Sequence, residues 1–106
     1  MAEDKIVRLV RLLLEKTKAG EIKWEETSKL NIFQCSVSNY SLLISRQILT
    51  VCTREGDIIE EVNGLEPPHE GVRLSELFEL ARRDAMGVEK ALDEIIFLLE
   101  AGETKR

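Results

Sequence analysis

Two cysteines, a single histidine and twenty carboxylates are the side chains of this chain best suited to chemistry. Cys35 falls in the alternating run NIFQCSV and shares a face with Phe33 and Val37, which marks it as a small buried hydrophobe rather than a reactive thiol. Cys52 lies on the opposite face with Ile48 and Thr50, and no activating partner stands beside it in sequence. His69 sits in the loop NGLEPPHEG and reads as a solvated loop residue; a Cys–His dyad would need the fold to bring distant segments together. A zinc centre needs about four ligands, and neither a CxxC nor an HxxxH spacing occurs. The adjacent acids Glu25-Glu26, Glu60-Glu61 and Asp93-Glu94 read as solvated faces of an acidic protein, not as an acid/base pair. Phosphate-cradling GxxxxGK[ST] and GxGxxG motifs and the nucleophile elbow GxSxG do not occur. The expectation is a non-enzyme with no catalytic residue, no metal and no cofactor.

The totals agree. A chain of 106 residues is a single domain with a modest core. Hydrophobic residues at 43% and charged residues at 33% place it among ordinary globular proteins, too apolar for disorder. The net charge of -5, from 20 acids and 15 bases, opposes a sequence-independent grip on phosphate backbones. No run reaches the ~18 apolar residues of a membrane span. The opening MAEDKIVRLVRLLLEK carries early acids, is broken by Arg8 and Arg11 and lacks a small-residue cleavage site, so a cytoplasmic protein with free thiols is expected.

The elements that must position these groups can be read from period. Over residues 4–19, Leu9, Leu13, Ile6, Val10, Leu14 and Val7 share an arc of about 160° at 100° per residue, with Gly20 as the stop. Leu12 alone points into the charged side. Ile22 and Trp24 then alternate with charges, so a short strand or extended arm follows, with Trp24 as a lid on the core. Residues 31–62 change to period two. Two-residue loops at Ser38-Asn39 and Arg46-Gln47 predict the pairs Cys35–Leu42, Phe33–Ile44, Ile44–Leu49 and Leu42–Val51, which align the apolar faces of three strands. A fourth strand after Glu55-Gly56 would set Glu60 opposite Val51, and needs a bulge near Ile58-Ile59 or an edge position. Residues 63–72 are a loop and 101–106 a polar tail.

The terminal segment LFELARRDAMGVEKALDEI resembles a helix-turn-helix at first sight, but the interval from Ala81 to Gly87 is too long for that turn. Lys90 is also the only base in what would be the recognition helix. Leu74, Leu77, Ala81, Ala85, Val88, Leu92, Ile95 and Leu99 step by threes and fours through Gly87 without losing phase, which predicts one long helix over 74–100. Leu80, Ala91 and Leu98 widen its apolar stripe, and Met86 and Phe97 oppose it. The predicted class is α+β: an N-terminal helix, a three- to four-stranded antiparallel meander and a long C-terminal helix on one sheet face.

With GEIKWEE after an apolar helix, a small meander and the terminal LSELFELARRDAMGVEKALDEI, the chain resembles a family of small stand-alone prokaryotic proteins of uncharacterised function. That resemblance implies an α-β-α order and assigns no activity, cofactor or catalytic residue. The surplus apolar groups Leu12, Leu80, Phe97 and Leu98 are the candidate interface of a homodimer or of a small regulatory partner of another protein. A nucleic-acid-linked regulator would need Arg8, Arg11, Lys16, Lys18, Arg82 and Arg83 gathered into one patch. A small ligand binder around residues 63–72 is the third reading.

Overall fold

The structure, a computed structural model, describes residues 4–102; the tail from residue 103 lies outside them. Helix α1 runs Lys5–Lys18. The Asp4 carboxylate caps it, accepting from the Ile6 amide at 2.7 Å and satisfying one of the amides that a helix start leaves without a partner. At the other end Gly20, at φ 77, turns the chain so that the amides of Gly20 and Glu21 donate to the carbonyls of Thr17 and Lys16.

Five strands follow: β1 Glu25–Glu26, β2 Phe33–Val37, β3 Tyr40–Ile44, β4 Ile48–Thr53 and β5 Ile58–Asn63. They form one antiparallel sheet in the order of the sequence. The four pairs anticipated from alternation are all present: Cys35 opposite Leu42, Phe33 opposite Ile44, Ile44 opposite Leu49 and Leu42 opposite Val51. The strand count exceeds the anticipated range because the arm after Ile22 ends in β1, whose two glutamates pair with Phe33 and Gln34 at the sheet edge. In β5 Glu60 does lie opposite Val51, and the register shifts next to it, where Cys52 faces Ile58. That irregularity spares the sheet a full row of misplaced carboxylates.

One face of the sheet supplies Phe33, Cys35, Leu42, Ile44, Leu49 and Val62 to the core; α1 supplies Val10, Leu13 and Leu14. The remaining layer is helix α2, Leu74–Ala85, whose Leu74, Leu77, Phe78 and Ala81 are buried. Phe33 and Phe78 meet with ring centroids 5.6 Å apart, and the Arg46 guanidinium lies 5.4 Å from the Phe78 centroid, the range of a favourable cation–ring contact. Trp24 is buried, as its position predicts. Its amide donates to the Asp84 carboxylate at 2.7 Å and its indole N–H to Thr17 Oγ1 at 3.0 Å, tying the arm to both helices.

The long helix over 74–100 is not one helix. Met86 closes α2, Gly87 takes the left-handed φ of 60°, and a new helix, α3, runs Val88–Glu100. Left-handed backbone costs an L-residue roughly 1–2 kcal/mol, a penalty that glycine escapes. The unbroken apolar phase across Gly87 was misleading for a physical reason. Periodicity reports that a helical segment has an apolar face, but not that the same partner covers it throughout.

Candidate interaction surface

Past Gly87 burial ends. Val88 is half-buried, and no residue of α3 is buried, although Leu92, Ile95, Ile96, Leu98 and Leu99 are all large and apolar. With Ala91 and Val88 they form a continuous stripe of about 160° at 100° per residue. Phe97 stands on the far side, 68% exposed. The principal contact of α3 is with α2, aided by an ion pair from Arg83 to Glu89 across the glycine. Its extension makes the molecule 57 Å long with a radius of gyration of 16.5 Å, where a compact chain of this length would have about 13 Å.

The four candidate interface residues separate into three environments. Leu80 is half-buried and packs against the core, so it is not surplus; α2 uses a wider stripe than α1 because sheet and helix both cover it. Leu98 and Phe97 remain exposed on α3. Leu12, 40% exposed, lines a groove of about 450 Å³ between α1 and the end of the sheet. Leu9 and Ile22 form its helix side; Val37, Tyr40 and Val51 form its floor, and the stem of Lys16 completes the wall. Val37 and Tyr40 sit on the same face as the buried Cys35 and Leu42, at the hairpin end that neither α1 nor α2 covers.

The polar side chains are dispersed. Cys35 lies in the core, and burial pushes its thiol up to about 12, so it is kept neutral. Cys52 is buried as well, on the outer sheet face, where Thr27, Ser28 and Lys29 help to line a hollow of about 380 Å³. His69 is not the solvated residue expected: its side chain is only 14% exposed, with Nε2 3.9 Å from the Asp4 carboxylate. It lies by the start of α1, while Cys52 faces away from the helices, so the two do not form a dyad. Glu25, Glu26, Glu60, Glu61, Asp93 and Glu94 are all exposed. Among the described residues no group of His, Cys, Asp and Glu could hold a metal ion, and no polar or charged residue is buried. Around residues 63–72 the chain folds on itself, Gly71 donating to the Gly64 carbonyl at 3.1 Å, and meets α1 in a hollow of about 290 Å³.

Five of the six bases considered for a phosphate-binding patch stand beside carboxylates. Arg11 lies 3.9 Å from Glu15, Lys16 3.1 Å from Glu21 and Lys18 3.3 Å from Glu76; Arg82 pairs with Glu79 and Arg83 with Glu89. Arg73, hydrogen-bonded to Glu76, and Lys18 beside it hold that carboxyl below its ordinary range; a hydrogen bond from Arg82 does the same for Glu79. Local charge is thus neutralised where the bases are densest.

No helix among the described residues is long and apolar enough to cross a membrane. The chain matches no protein-family profile, no curated protein and no solved structure.

Proposed function

We propose that this chain is a non-enzymatic interaction module that works as a homodimer in the cytoplasm, with regulation of another protein as the role such a dimer would serve. One observation carries the reading: α3 has a full apolar stripe and buries none of it in its own chain. A helix with that pattern is normally covered, and soluble monomers avoid contiguous apolar patches of this size. Pairing two copies about a two-fold axis is the commonest way to cover one. Two free, buried cysteines suit a reducing compartment.

The test is sedimentation velocity across a concentration series. The wild-type chain should run as a dimer at micromolar concentration. Leu98→Glu combined with Phe97→Glu should shift it toward the monomer without changing its circular dichroism, since both side chains are already exposed. A wild-type monomer at high micromolar concentration would refute the homodimer.

A further inference from the structure

The groove and the bare helix are two unpartnered apolar surfaces on one chain, and each has what the other lacks. We propose that α3 of one copy seats in the groove between α1 and the sheet of a second copy, and reciprocally. The proposal rests on the self-association reading above and specifies which surfaces meet.

Shape comes first. α3 is a convex rod of ~20 Å at 1.5 Å per residue, with Ile95 near the middle of its stripe. The groove is concave and apolar, with Leu12 and Tyr40 on opposite walls, both exposed in the isolated chain.

Charge comes second. Helix α1 carries five bases and one acid, a net charge of +4, whereas α3 carries four acids and one base, a net charge of -3. A second α3 would meet its own sign along a face-to-face pairing; α1 offers the opposite one. The pairs that α1 already makes are exposed and individually weak, so exchanging partners costs little.

Area and connection agree as well. Each seat, lined by half-exposed side chains on both sides, removes on the order of 800 Å². The two-fold axis doubles this to the roughly 1,600 Å² of a stable interface. The break at Gly87 directs α3 away from the layer formed by α1, α2 and the sheet, which leaves it free to reach a neighbour.

A complementation experiment separates this arrangement from other dimers. Leu12→Glu spoils the groove and leaves α3 intact; Ile95→Glu spoils α3 and leaves the groove intact. Both positions are exposed, so each variant should keep the wild-type circular dichroism. In the reciprocal arrangement each variant alone has two damaged seats, and its dimer should dissociate at least about tenfold more readily. An equimolar mixture contains a heterodimer with one undamaged seat, so differently tagged variants should pair with each other in preference to themselves. If Leu12→Glu dimerises like wild type while Ile95→Glu does not, the helices pair with each other and the proposal fails, though the homodimer stands. A mixture that shows no preferential hetero-pairing, or a dimer indifferent to either change, overturns it equally. A wild-type monomer removes both this proposal and the homodimer on which it rests.

Discussion

Cys35 shows how far a single residue's role can be read before the fold is known. Alternation with Phe33 and Val37 was enough to place it in the core, and its neutral thiol follows from that burial. An unfolded thiol ionises near pH ~8.5, whereas the folded one is held up to about 12 by burial. The stability gained by keeping it neutral is therefore complete below the unfolded value and is lost as pH rises between the two. Urea midpoints measured from pH 8 to 11 should fall, and those of Cys35→Ala should fall less steeply, by at most ~1.4 kcal/mol per pH unit. Parallel curves for the two proteins would place the thiol in water. Cys52 and His69 were less legible, since what covers them comes from elsewhere in the chain. Thr27, Ser28 and Lys29 share the hollow of Cys52, and Asp4 stands 3.9 Å from His69. No local period encodes such neighbours.

At the scale of elements, α1 and the β2–β4 meander were legible because each carries its own signal: a 3.6-residue stripe with a glycine stop, and two-residue loops that keep the apolar faces in register. β1 was half visible. The extended arm could be inferred from Ile22 and Trp24, but two glutamates give no strand signal, and their pairing is imposed by the anchored Trp24 just before them. The break at Gly87 was missed, and its energetics are open to measurement. No atom comes within 4 Å of a Cβ built there, so the cost of a side chain is backbone strain alone. Gly87→Ala should destabilise the protein by about 1 kcal/mol in urea, and Gly87→Asn by less, since asparagine tolerates left-handed backbone better. Stabilisation by alanine would mean that a straight helix through residues 74–100 competes successfully with the broken one. Gly64 is a different case: a Cβ there would come within 3.1 Å of Gln47 Oε1 and 3.3 Å of both Leu74 and the Val72 carbonyl, so close approach, not φ, requires the glycine.

For the whole molecule, the class and the layer order could be anticipated from the sequence, while the division into a packed body and a bare helix could not. Apolar composition counts side chains without saying which copy of the chain covers them. The charge balance has a consequence at this scale too. Counterion release needs several aligned bases, and the densest bases here are already beside acids. Random duplex DNA at physiological salt should give no gel shift at micromolar protein; a salt-sensitive shift would revive a nucleic-acid-linked role. The open sheet raises a separate matter, because a free edge is a template on which further chains can add. One edge of this sheet is a strand of two glutamates, and the other is a bulged strand with Glu60 and Glu61 in its middle. A neighbouring copy adding to β5 would bring carboxylate against carboxylate, and β1 is too short to hold one. Both ends of the ladder are guarded against fibril growth, so this chain can leave a helix bare for recognition without also offering itself as a seed for amyloid.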